Sequence, residues 1–172
     1  MEVNLKELAQ FLVKAKRNTY AGDRGKVPPK DVERPGFKEL KFSEGEWKYR
    51  DSYTGFYAAP GQEVVRFKGV PVWAMAYSGG MKLKDIGNEK LAKQTFDFLK
   101  KALMKVDVSK PFRGPQLFDE GPFRYYSLSK GDLTNFTLHE HIKYKGREVF
   151  SQECIGGLII HKNDGISGDK VI

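Results

Sequence analysis

The chain has 172 residues, 40% of them hydrophobic and 13% aromatic, which suits a domain able to bury a core and excludes a disordered one. Its 30 basic and 22 acidic residues give a net charge of +8, spread along the chain without a Lys/Arg block. No apolar run approaches the roughly 18 residues of a membrane span, and the acidic residues in MEVNLKELAQ argue against a signal or transit peptide. The single cysteine, Cys154, allows no internal disulfide, so the expected compartment is the cytoplasm. Lysine is plentiful and Gln, Asn and Cys are scarce, a bias like that of heat-adapted proteins.

In chain order, Leu5, Leu8, Leu12 and Ala15 recur at helical spacing, with Asn4 and Glu7 placed as a capping pair. The segment from Asn18 to Gly36 is longer than an ordinary connection, and loops of that length often carry function. Arg17, Tyr20 and Arg24 lie at its start, where they can close over a ligand. FKELKF predicts a short strand. The period then changes to alternation, with Trp47, Tyr49 and Tyr53 on one side of a strand and Lys48, Arg50 and Ser52 on the other. Thr54-Gly55 predicts a turn into a long second strand ending at Phe67, with Pro60-Gly61 as a bulge inside it. Lys68-Gly69 predicts a tight hairpin into the strand around PVWAMAY.

The pattern then starts again. Phe96, Leu99, Leu103 and Val106 form a second helical stripe, with Asn88 as its cap. QLF is a stunted counterpart of the first short strand, and turns are predicted at Lys130-Gly131-Asp132 and Lys145-Gly146. EGEWKYRDSYTG recurs as EGPFRYYSLSKG, and Glu63, Lys68-Gly69, Val72 and Gly79-Gly80 recur in order as Glu140, Lys145-Gly146, Val149 and Gly156-Gly157. Such agreement reads as an internal repeat. The expected fold is α+β: a tandem duplication of a helix followed by a three- or four-stranded antiparallel meander, with a curved sheet packed on two helices about a pseudo-twofold axis. It forms one compact domain, 1–172, of two repeats at about 1–84 and 85–162, with a polar tail at 163–172.

The chemistry-bearing candidates follow from this layout. Glu63 and Glu140 each share a strand face with apolar side chains, where a carboxylate must be paired or face a cavity. The structural reading, a network common to both halves, outweighs the reading as an acid–base pair. The aromatic set is mostly core, yet its tyrosines need hydroxyl partners and suit a concave small-molecule wall. His139 and His141 share one strand face, but no third ligand completes a metal site. Cys154, without a basic activator, reads as a buried thiol. No phosphate-loop, nucleophile-elbow or zinc-protease motif occurs, and no cofactor is expected.

FLVKAKRNTYAG, RPGFKEL, EGEWKYRDSYTG, GQEVVRFKGVPVWAMAY and PFRGP resemble an uncharacterised prokaryotic domain family of unknown function. Members of that family occur alone or behind a helix-turn-helix of XRE-type transcriptional regulators. They often carry asparagine where this chain has Ala76, and other residues at His139 and His141. The resemblance implies a sensor-type module tied to regulation rather than an enzyme. The residues expected to bind a small-molecule or anionic ligand are Arg17, Tyr20, Asp51, Tyr53, Glu63, Trp73, Tyr77, Arg113 and Glu140, with Arg17 and Arg113 as anion partners. Nucleic-acid binding through the basic surface and an enzyme using the paired carboxylates are the alternatives; no membrane partner is expected.

Overall fold

A computed structural model describes residues 3–162. Helix α1 runs Leu5–Arg17, and the Asn4 side chain accepts hydrogen bonds from the backbone N–H groups of Lys6 and Glu7. Helix α2 runs Glu89–Leu103, with Asn88 accepting from Leu91 N–H. Both caps satisfy amides that the first helical turn leaves without partners. Each helix buries one apolar stripe, Leu8, Leu12 and Ala15 on α1 and Leu91, Phe98 and Ala102 on α2. No helix among the described residues is long and apolar enough to cross a membrane.

Four strands lie between the helices: β1 Lys38–Glu44, β2 Trp47–Tyr53, β3 Gly61–Phe67 and β4 Val70–Met81. Four follow α2: β5 Leu117–Glu120, β6 Phe123–Asp132, β7 Asn135–Tyr144 and β8 Arg147–Leu158. All eight join one antiparallel sheet in the order β1-β2-β3-β4-β8-β7-β6-β5. The two hairpin turns at Lys68-Gly69 and Lys145-Gly146 place both residues of each pair at positive φ, the conformation that matches the twist of the flanking strands.

This corrects the expected fold class. The α+β arrangement of two helix-and-meander repeats about a pseudo-twofold axis gives way to a mostly β molecule, in which two helices accompany one continuous eight-stranded sheet. The seam is made by β4 and β8, paired from Trp73↔Leu158 to Met81↔Phe150. Such a long-range ladder leaves no mark on local periodicity, which reads each meander as a separate unit. Two smaller expectations also change. β3 begins at Gly61, so Pro60 lies outside the strand, and the register shift falls at Val65/Arg66. The β6–β7 turn lies at Leu133-Thr134, because Gly131 and Asp132 are still paired with β7. The expected polar tail, 163–172, lies outside the described residues.

One core gathers α1 with Tyr49, Val65, Trp73, Met75 and Phe136. A second gathers α2 with Tyr125, Ile142, Val149 and Phe150. Phe112, from the loop after α2, stacks on Phe136 in the first core with ring centroids 4.2 Å apart, and Trp73 also stacks on Phe136, at 6.0 Å. Between the two helices the cores leave a hollow over β2, β3 and β4.

Candidate functional site

The hollow begins with a register. β2 and β3 pair so that Asp51 lies directly opposite Glu63, two carboxylates side by side on the buried face. Like charges so placed repel and must be compensated. Lys16 supplies part of this compensation. It stands one helical turn beyond Leu12 and two beyond Leu8, on the apolar stripe of α1, and its buried ammonium donates to Glu63 Oε2. Arg113, from the loop between α2 and β5, forks onto Glu140 of β7: Nε donates to Oε2 at 3.2 Å and Nη2 to Oε1 at 2.5 Å. Its Nη1 lies 4.0 Å from Glu63 Oε1, and the Tyr125 hydroxyl donates to Glu140 Oε2 at 2.6 Å. Glu140 is fully buried.

Asp51 is different. It is 3% exposed, accepts one side-chain hydrogen bond, from the Tyr77 hydroxyl at 2.6 Å, and forms no ion pair among the described residues. Gly61 faces both Tyr53 and Tyr77 in the ladder, and a β-carbon there would fall 2.4 Å from the Tyr77 hydroxyl. Only glycine lets that phenol lie across the strand to reach Asp51.

Above this floor is a cavity of about 270 Å³, near the lower end of small-molecule sites. Tyr20 and Tyr53, edge to face at 6.2 Å, form one wall; Phe56 and Phe96, edge to face at 5.6 Å, form another, with Phe150 near Phe96. The exposed Lys38, Lys93 and Asp97 belong to its outer edge.

Electrostatics follow from the census of the floor. Three carboxylates, Asp51, Glu63 and Glu140, face two cations, Lys16 and Arg113. Burial, reinforced by the neighbouring Glu63 charge, raises the Asp51 carboxyl to about 7, against the lowering pull of the Tyr77 hydrogen bond, Lys16 and Arg113. Burial also raises the hydroxyls of Tyr20, Tyr49 and Tyr77, which therefore stay neutral donors. For Arg113 burial disfavours the charge, but the adjacent Glu140 outweighs it and the guanidinium stays protonated. Cys154 is buried and its thiol is pushed up to about 12, chiefly by burial, which makes it unreactive.

Of the residues singled out in the sequence, Tyr20, Asp51, Tyr53, Glu63, Tyr77 and Arg113 line this one cavity. Glu140 stands a layer behind, as the partner of Arg113. Two lie elsewhere. Trp73 is sealed in the first core with Nε1 donating to the Leu133 carbonyl at 3.0 Å, and Arg17 donates from the surface to the Val106 carbonyl at 2.6 Å. Arg17 therefore ties the end of α1 to the segment after α2. His139 pairs with Glu153 on the exposed side of β7, and among the described residues no cluster of His, Cys, Asp and Glu could hold a metal ion. Sequence reasoning missed Lys16, whose signal was its place on the Leu8–Leu12 stripe. It also missed Phe96 and Phe150 as cavity walls and Gln152 as a further lining residue; being ordinary core types, the two phenylalanines gave no signal.

An open antiparallel sheet with two helices and an aromatic cavity over a buried charge network defines the class: a small, mostly β domain with a hollow of about 270 Å³ over its sheet. The chain belongs to the family described as Domain of unknown function (DUF5680), whose model matches residues 51–159, more than half of it. The match begins at Asp51 and includes Glu63, Tyr77, Arg113 and Glu140, while Lys16 and Tyr20 precede it. Neither the curated proteins nor the solved structures contain a match to this chain.

Proposed function

We propose that this protein is a small-molecule-binding domain of sensor type, and that its ligand occupies the cavity between α1, α2 and the first four strands. The observation that carries this reading is a nearly buried carboxylate, Asp51, without an ion pair among the described residues, at the bottom of an aromatic-walled space. A core built only for stability would fill that space or pair that charge. Binding rather than catalysis is favoured because Glu63 and Glu140, the pair that could run acid–base chemistry, are both committed to ion pairs. The resemblance to domains found behind helix-turn-helix regulators supports a role in sensing for transcription. The lone buried thiol is consistent with a reducing cytoplasm.

The test is a thermal-shift screen of intracellular metabolites on the purified chain, repeated on Tyr53→Ala. A true ligand raises the melting temperature of the parent protein and loses most of that effect in the variant. Silence across anionic, cationic and neutral aromatic compounds would sink the reading.

A further inference from the structure

We infer that the cavity recognises its ligand through a cationic head, a protonated amine or an amidinium, seated against Asp51. This rests on the cavity being a binding site and adds the class of ligand.

The groups facing Asp51 are Glu63 from β3, Tyr77 from β4, Lys16 from α1 and Arg113 from the loop before β5, with Glu140 of β7 behind Arg113. Tyr49 and Tyr53 flank it on its own strand. Lys16 is engaged by Glu63 and Arg113 by Glu140, so neither floor cation is free to receive an anion. With every group ionised, the floor carries one negative charge in excess. That excess is relieved by a proton, and Asp51 is the carboxyl that holds it, since burial and Glu63 bring its titration to about neutrality. A monovalent organic cation would relieve it equally well and would gain contacts a proton cannot. Tyr20, Tyr53 and Tyr77 line the space around the carboxylate, and their rings already take cations of the chain, Lys100, Lys38 and Arg113 respectively, the setting in which rings and one anion together hold an ammonium. An anionic head in the same place would double the excess and would have to break an ion pair to enter.

The lysines at the outer edge do not contradict this. Lys93 is paired with Glu89 at 2.7 Å, Lys100 reaches Asp23 at 3.4 Å, and Lys38 lies over the Tyr53 ring. They leave room for a neutral or anionic outer end on the ligand.

The test uses three nearly isosteric probes, benzamidine, benzamide and benzoate, titrated calorimetrically into the intact chain at about pH 8 and about pH 6. Benzamidine is expected to bind about tenfold or more tighter than benzamide, and benzoate weakest. Its affinity should fall toward the lower pH, and binding should release a proton, seen as a dependence of the heat on buffer ionisation. Asp51→Asn, and Asp51→Ser as a second variant, should each abolish the preference while circular dichroism shows the fold retained. The inference is overturned if benzoate or benzamide binds as tightly, if the preference survives both variants, or if none of the three binds at millimolar concentration. In each of these cases, a neutral or anionic metabolite that stabilises the parent chain and not Tyr53→Ala leaves the binding site standing and removes only the cationic class. A silent metabolite screen removes both.

Discussion

Asp51 stands opposite Glu63 across β2 and β3, and Ser127 stands opposite Glu140 across β6 and β7. In each half a buried glutamate lies on the inner strand, close to a register shift, at Val65/Arg66 in one and Ile142/Lys143 in the other. In each, a tyrosine two residues earlier on the outer strand packs inward, Tyr49 or Tyr125. The halves part first at the glutamate's cross-strand pair. A hydroxyl opposite Glu140 leaves that glutamate to the fork of Arg113 and the Tyr125 hydroxyl, and it is fully buried. A carboxylate opposite Glu63 creates an excess charge, and the space above it stays open. A second difference lies on the seam, where Tyr77 pairs with Cys154: the tyrosine reaches toward Asp51 and the thiol is packed in the first core. Opposite one glutamate stands a hydroxyl, and opposite the other a carboxylate held by a phenol and by no ion pair among the described residues.

The sharpest way to break this comparison is to remove one cation from each pair. Arg113→Met leaves Glu140 fully buried with only a phenol to serve it, and should cost about 3–5 kcal/mol in urea denaturation. Lys16→Met leaves Glu63 beside a cavity that water can enter, and should cost about 1–3 kcal/mol. Equal losses would mean that the two glutamates have the same surroundings, and the distinction between them would fall.

A smaller effect comes from Asp51 itself. Its folded-state value of about 7 lies above the ordinary 3.8, so the folded protein holds a proton that the unfolded chain releases. The stabilisation from that proton is complete at pH below about 4 and is lost as pH rises through about 7. Asp51→Asn keeps the acceptor for Tyr77 and removes this dependence. It should therefore match the parent protein in acid and exceed it by about 2 kcal/mol or more at pH 8, because each tenfold difference in proton affinity between the folded and unfolded chain corresponds to about 1.4 kcal/mol. Urea midpoints measured across that range, on parent and variant, check the sign. A variant less stable than the parent at pH 8 would show that the ionised carboxylate is compensated after all. Ser127→Asp makes the converse change and should introduce the same pH dependence beside Glu140.

What the sequence made legible follows the reach of each interaction. The helices are readable because Leu5, Leu8 and Leu12 and their cap lie within a few turns of one another. The hairpins at Lys68-Gly69 and Lys145-Gly146 are readable because two residues decide them. The joining of both meanders into one sheet is not, because the β4–β8 ladder links Trp73 to Leu158. The same limit separates Tyr77 from Trp73. They alternate onto one face of β4, so periodicity nominates both, but Trp73 lies under α1 in the core and Tyr77 opens onto the cavity. Glu63 and Glu140 are legible as buried carboxylates, while their partners Lys16 and Arg113 come from elements packed on the sheet from a distance. Arg113 reads from the sequence as a rigid anion partner for a ligand, whereas the structure shows its fork on a glutamate of its own chain.

The smallest test concerns the parts in which the halves agree. Asn4 accepts from two backbone amides and Asn88 from one, each at the start of a helix that closes its own core. Substituting either by alanine should cost about 1 kcal/mol, with Asn4→Ala the larger of the two because it leaves one more amide without a partner. Neither change should alter ligand affinity. Lys16 lies three turns from Asn4, and fraying at the first turn of α1 does not reach the Lys16–Glu63 pair. If Asn4→Ala weakened binding as much as stability, α1 would act as a movable wall whose position depends on its far end, and the cavity would be a consequence of helix docking, with the charge opposite Glu63 secondary.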